Sequence, residues 1–353
     1  MGDVTVFGGD PGIIATRLEI ERVHDSLALA RSMLLGELEA ADFLTLPIRR
    51  IGLALEAQPI IERIGQLQQA CLIAAQEYFD GEVQQANRLD AVEMAVVPLL
   101  AAGLAAIGPQ LAPYRNSEIS AVAATVQNKV PSATSLAALL TRLERTAAAA
   151  PGRVRIEQFG SRFIVYIPGT QSWLPMAGKN PLDLTSNLQA MAGPGLASSE
   201  AAVQKAIVAA GVTAENQVLL VGHSQGGMVA ANIASKQQNY KVAGLVTIGS
   251  PISQLNQSIR VPTVSLQHTN DIVPKLDLKQ NAIGQSWVTF EREAPTQKHD
   301  GKPDVLEAHE IGSYRGTALL ADENLDPGLA RVREQITGFA NGQGKATIFQ
   351  VSR

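Results

Sequence analysis

The sequence predicts an α/β fold with a mostly parallel sheet in its second half, preceded by an all-α half of helical hairpins. Three observations carry this. Before Pro151-Gly152 the apolar residues recur at helical spacing, and after it they gather in short strand-like runs. Those later runs alternate with helical patterns, which is how a sheet with helices on both faces reads along a chain. With 353 residues, 46% of them hydrophobic and 18% charged, the chain is long enough for two domains and apolar enough to bury their cores. The expected division is residues 1–150 and residues 151–353.

In the first half, Ile20, Val23, Leu27, Ala30, Leu34 and Leu38 step by three or four and share one helix face. A break at Asp42–Pro47 precedes a second helix carrying Ile48, Ile51, Leu55, Ile61, Ile64, Leu67 and Cys71, with a kink expected at Pro59. Two further helical stretches cover Glu82–Ala106 and Ser117–Ala149, interrupted around Pro109–Pro113 and near Pro131. Leu136, Leu139, Leu140 and Leu143 mark the buried side of the last one. Beyond Pro151, Val154–Phe159 alternates like a half-exposed edge strand, and Gly160-Ser161 turns the chain into Arg162–Ile167, which reads as a buried central strand. Val218–Val221, Val242–Ile248, Val261–Leu266 and Trp287–Phe290 are further strand runs. Helices are expected over Ser198–Ala210 and Gln225–Gln237.

Composition excludes several classes of function. The formal charge is −4 and no Lys/Arg cluster stands out, so nucleic-acid binding is not expected. A single cysteine, Cys71, supports neither an internal disulfide nor a Cys-based metal site. No metal and no cofactor is expected. The run from Met94 to Gly108 contains Pro98 and Gly103 and is shorter than the ~20 residues that span a bilayer, so it reads as a buried helical segment. Met-Gly-Asp-Val-Thr-Val at the start has no basic or apolar stretch of a signal peptide. The expected location is the cytoplasm, or outside the cell by a route that needs no ordinary signal peptide.

One motif carries chemistry. Gly222-His223-Ser224-Gln225-Gly226 is a Gly-x-Ser-x-Gly pattern, weak as five residues. Its setting strengthens it: Val218–Val221 supplies a buried strand before it, and Gly226-Gly227-Met228-Val229-Ala230-Ala231 opens a helix after it. That junction exposes a nucleophile on a tight turn, at a helix N-terminus that favours developing negative charge. No Gly-x-Gly-x-x-Gly or Walker pattern offers a nucleotide-binding reading of the same turn.

A serine hydroxyl needs an imidazole to take its proton, and the imidazole needs a carboxylate to fix its tautomer. In this arrangement the chain order is Ser, then acid, then His. Of five histidines, His24 lies in the helical half, His268 precedes the best acid, and His223 is expected to point away from the reacting side of the turn. His309, opening a helical pattern in Glu307–Tyr314, is favoured as the base, with His299 in a polar loop as the alternative. Asp271 follows the Val261–Leu266 strand at its carboxyl end and is the leading acid, ahead of Asp277, Asp300 and Asp304. An oxyanion would be held by the amide of Gln225 and by one from Pro168-Gly169-Thr170-Gln171, either Thr170 or Gln171. The polar Asn180–Asn187 stretch is expected to cap a helix near the rim of the site.

Ile-Pro-Gly-Thr-Gln, Gly-His-Ser-Gln-Gly-Gly, Asn-Asp-Ile-Val-Pro and Ala-His-Glu-Ile-Gly-Ser-Tyr resemble, in order, the landmarks of lipase-like α/β-hydrolases, near lipase class 3 and related bacterial esterases. The resemblance covers about residues 150–340. It implies an α/β-hydrolase fold, a Ser224, Asp271 and His309 triad, and hydrolysis of carboxylic esters, often lipids, through an acyl-enzyme. One departure is the short Pro-Gly-Thr loop, which has no His-Gly-Gly-Gly element. The helical half resembles hairpin domains fused to type VII-secreted bacterial effectors. Tyr78-Phe-Asp-Gly-Glu82 fits their Tyr-x-x-x-Asp/Glu export signature, although no Trp-x-Gly occurs in the 42–47 turn. Residues 1–150 would then serve export, cap the catalytic half, bind a small helical partner or mediate self-association. A different reading makes the whole chain an effector or partner-binding protein with a non-catalytic hydrolase scaffold. The complete set of Ser, Asp and His in the required order argues against that.

Overall fold

A computed structural model describes residues 4–8, 27–33, 35, 57–66, 118–172, 178–183, 186, 197–255, 258–277, 281–282, 284–295, 298–299, 302–303 and 305–353. The chain forms two compact units, one of Asp10–Arg88 and one of Met1–Gly9 with Leu89–Arg353. In the first unit the described backbone is helical over 27–33 and 57–66, where the spacings of Leu27 and Ala30 and of Ile61 and Ile64 predict helix. The Asp42–Pro47 break, Cys71, the Tyr78–Glu82 motif and the apolar run 94–108 lie outside the described residues.

The second unit is built on a nine-stranded sheet. Its strands are β1 (Val4–Gly8), β2 (Ser120–Pro131), β3 (Arg153–Phe159), β4 (Arg162–Ile167), β5 (Gln217–His223), β6 (Lys241–Ile248), β7 (Thr263–His268), β8 (Trp287–Arg292) and β11 (Gln343–Ser352). The short strands β9 (Lys298–His299) and β10 (Lys302–Pro303) pair only with each other. Across the sheet the order is β1-β8-β7-β6-β5-β4-β3-β11-β2. From β4 to β8 the strands run parallel. Antiparallel β1 closes one flank, and β3, β11 and β2 extend the other.

The helices are α1 (Leu136–Ala149), α2 (Ser198–Ala209), α3 (Gln225–Ser235), α4 (Val305–His309), α5 (Tyr314–Glu323) and α6 (Pro327–Thr337). They cover both faces, which is why the central strands read as unbroken apolar runs. On one face Phe163, Val165, Ile167, Val218 and Leu220 pack with Ala202, Val203, Ala206 and Ile207 of α2 and Val229 and Ile233 of α3. On the other, Ile164, Tyr166, Leu219, Val221, Val246 and Val264 pack with Leu136, Leu139, Leu140 and Leu143 of α1, Ala318 of α5 and Val332 of α6. Local chemistry starts the helices. Ser135 Oγ accepts from the Ala138 amide at the N-terminus of α1. Asp326 Oδ1 accepts from the Leu329 amide, with Pro327 in the first turn of α6.

Four expectations need correction. Residues 1–150 are not all helical, because β1 and β2 are strands of the sheet and α1 lies against it. A boundary at Pro151 would therefore cut through the sheet-bearing unit. The helix expected from Ser117 begins only at Leu136, since Ser120–Pro131 pairs with Gln343–Ser352. Strand β3 is also not an edge, because β11 and β2 continue the sheet beyond it.

Candidate active site

Strand β5 delivers the chain to Ser224, and α3 starts at Gln225. Ser224 has φ 53° and ψ −122°, a conformation that costs a residue with a Cβ roughly 1–3 kcal/mol and clusters at functional sites. The surroundings enforce it. A Cβ on Gly222 would lie 2.5 Å from the Gly227 nitrogen, and one on Gly226 would lie 2.5 Å from the Pro168 carbonyl oxygen. Only glycine permits α3 to begin this close to the ends of β4 and β5.

Three expected residues meet here. His309, the last residue of α4, places Nε2 2.9 Å from Ser224 Oγ and Nδ1 2.7 Å from Asp271 Oδ2. A carboxylate only accepts, so Nδ1 carries the proton and Nε2 offers its lone pair to the serine hydroxyl. Asp271 is fully buried at the carboxyl end of β7. Its Oδ1 accepts from the Val273 amide at 2.9 Å, and its Oδ2 accepts from the Tyr314 hydroxyl at 2.8 Å. Burial first, and then the Asp271 charge, push the Tyr314 phenol well above its ordinary range, so it is a fixed donor. Asn270 pins the acid loop, donating to Ala294 O and accepting from the Ala294 amide at 3.1 and 2.8 Å. His299 lies in β9, and it is His309 that approaches Ser224.

The expected oxyanion donors separate. Gln225 contributes the first amide of α3, and amides of a first helical turn have no acceptor within the helix. The 168–170 loop passes directly over Ser224, since a methyl on Gly169 would lie 3.1 Å from Ser224 Cβ. Thr170 follows it. Gln171 does not fit the role, because its amide donates to Leu182 O at 2.8 Å. Its side-chain oxygen accepts from the Gly152 amide at 2.6 Å, which makes Gln171 a brace for the loop.

Three features escape a reading of the sequence. His223 does not point away from the site: its ring stacks on His309 with centroids 5.0 Å apart. Tyr314 gives no sign in the sequence that it donates to the acid. Asp183 and Arg353 form a buried two-point ion pair, Nη1 to Oδ2 at 2.6 Å and Nη2 to Oδ1 at 3.0 Å. Asp183 also accepts the Ser186 amide at 2.9 Å, in keeping with the capping expected there, and its carbonyl receives Gln225 Nε2 at 3.0 Å. The ion pair thus steadies the residue after Ser224. Residues 173–176 lie outside the described residues. Among the described residues no group of His, Cys, Asp or Glu is arranged to hold a metal, and no helix is long and apolar enough to cross a membrane.

The parallel sheet, the strand–turn–helix junction and the helices on both faces define an α/β fold of the hydrolase type. A family model described as the PGAP1-like alpha/beta domain matches residues 181–301, a segment that carries Ser224 and Asp271 and stops before His309. Comparison with curated proteins and with solved structures gives no match.

Proposed function

We propose that the protein is a serine hydrolase of carboxylic esters, working through an acyl-enzyme on Ser224. The observation that carries this is the unbroken line from Ser224 Oγ through His309 to a buried Asp271, starting at a strained turn. In the first step Ser224 Oγ bonds to the ester carbonyl carbon while its proton passes to His309 Nε2. Asp271 steadies the imidazolium, and the amides of Gln225 and Thr170 receive the negative oxygen. The tetrahedral adduct collapses by breaking the bond to the alcohol, which leaves with the proton from His309. Water then attacks the acyl carbon, gives its proton to His309, and releases the acid with Ser224 restored. Removing one oxyanion donor from such a site costs about 100–1,000-fold in kcat.

The lipase-like order of motifs favours lipid esters as substrates, and this preference rests on that resemblance. Hydrolysis of short and long acyl esters by wild type and Ser224→Ala tests the proposal. The expected result is turnover by the wild type and loss of about 1,000-fold or more in the variant. Equal rates for the two would end it and leave the non-catalytic scaffold as the better reading.

A further inference from the structure

The imidazole of His309 is held by its ring contacts, yet the peptide that carries it is held as well. Helix α4 has only five residues, and the last carbonyls of a helix have no partner within it. Two of them, on Ala308 and His309, meet imidazoles. His268 places Nδ1 2.9 Å from Ala308 O, and His223 places Nε2 3.0 Å from His309 O. A carbonyl oxygen only accepts, so the proton on each ring is the one facing it. His223 is therefore the Nε2–H tautomer and His268 the Nδ1–H tautomer.

For His268 the assignment is enforced from the far side. Arg292 Nε, which only donates, lies 2.7 Å from Thr317 Oγ1, and Thr317 Oγ1 lies 2.6 Å from His268 Nε2. The Thr317 hydroxyl thus accepts from Arg292 and donates to His268, leaving the imidazole proton on Nδ1. The His268 ring also stacks on Tyr314 at 3.7 Å and 11°, directly behind the phenol that donates to Asp271. Burial lowers His268 to about 4 and His223 to about 3, so each ring is neutral near neutral pH. His223 immediately precedes the nucleophile, and His268 ends the strand that presents the acid. The two strands that place Ser224 and Asp271 therefore also fix the backbone of the base.

We propose that His223 and His268 are positioning residues that grip the His309 peptide by its two carbonyls and so set the Nε2-to-Ser224 distance. This rests on the serine-hydrolase reading. Neither residue touches the reacting atoms, so its loss lowers kcat and spares KM. The tautomers give the test its sign. A glutamine amide reaches where a histidine Nε2–H donates, and an asparagine amide reaches where an Nδ1–H donates. His223→Gln and His268→Asn should keep function, whereas His223→Asn and His268→Gln should not.

The experiment measures kcat and KM on a p-nitrophenyl ester of a short acyl chain, with Ser224→Ala as the blank, alongside the thermal midpoint of each full-length variant. Misplacing a catalytic group by about 1 Å costs about 100-fold, which is the loss in kcat expected for His223→Asn and His268→Gln, with KM within about twofold. His223→Gln and His268→Asn should stay within about fivefold of wild type. Thr317→Val, which frees the His268 proton to move while keeping the ring, should lower kcat about tenfold and provides the reading if a histidine variant does not fold. Loss that is the same for Asn and Gln at both positions, or that follows the folded fraction or KM, overturns the positioning role while the hydrolase reading stands. A wild type no faster than Ser224→Ala overturns both.

Discussion

Replacing Gly226 by alanine tests the geometry that exposes Ser224. The added Cβ would overlap the carbonyl oxygen of Ile167 and lie 2.5 Å from that of Pro168, both backbone atoms at the end of β4. No side chain can rotate away, and β4 is fixed by its register with β3 and β5. The start of α3 must therefore recede by roughly 1 Å, carrying Ser224 and Gln225 with it. Overpacking of this kind costs about 1–3 kcal/mol, which for a domain of this size lowers the thermal midpoint by roughly 2–10 °C. Activity should suffer more than stability, since a displacement of about 1 Å at the nucleophile is worth about 100-fold. Calorimetry and the rate of Ser224 modification by a fluorophosphonate measure the two effects. Gly284→Ala is the control, because its Cβ would meet nothing within 4 Å among the described residues, and its stability should change by less than about 0.5 kcal/mol. A Gly226→Ala protein with an unchanged midpoint and a labelling rate within about twofold of wild type would refute the close approach of α3 to β4.

Other perturbations reach the elements around the site. Tyr314→Phe removes a donor to a buried carboxylate and should cost about 1.5–3 kcal/mol in denaturant unfolding; a loss under about 0.5 kcal/mol would contradict the hydrogen bond to Asp271. Arg353→Ala strands the buried Asp183 and should cost about 3–5 kcal/mol, with much of that recovered in the Asp183→Asn, Arg353→Met double variant. No recovery would mean that the pair is not the source of the loss. Stability should fall with acid in a window that His268 shares with His223: for His268, the unfolded chain takes up a proton below about 6.5, whereas the folded one does so only near 4. The decline in that window should be about 1.4 kcal/mol per pH unit for this group, with no contribution from it above the window. His268→Asn should flatten the slope by that amount, and an unchanged slope would contradict burial of a neutral imidazole.

The second half of the sequence is legible where its signals are local. Ser224 stands out because strand, glycine turn and helix follow one another within a dozen or so residues, and each has its own composition. Asp271 and His309 could be placed because chain order and strand ends restrict where such groups can act. What stayed hidden depends on distant partners. Ser120–Pro131 carries alanines, and Val122 and Val126 are four apart, a spacing that fits a helix as well as a strand. Its identity as a strand comes from pairing with Gln343–Ser352, more than two hundred residues on. Val4–Gly8 is likewise a strand through its pairing with β8. Nothing local in the sequence shows that the amide of Gln171 donates to Leu182 O. Sequence also gives no direction for the ring of His223, which turns toward His309 because that carbonyl lacks a partner within the short α4.

Everything proposed for the site depends on Ser224 being an activated nucleophile. Incubating the full chain with a fluorophosphonate, digesting it and locating the adduct by mass spectrometry tests this most directly. The expected result is a single adduct on Ser224, formed much more slowly in His309→Ala and absent in Ser224→Ala. No adduct in the folded wild type, or labelling at Ser224 that is indifferent to His309, would contradict it.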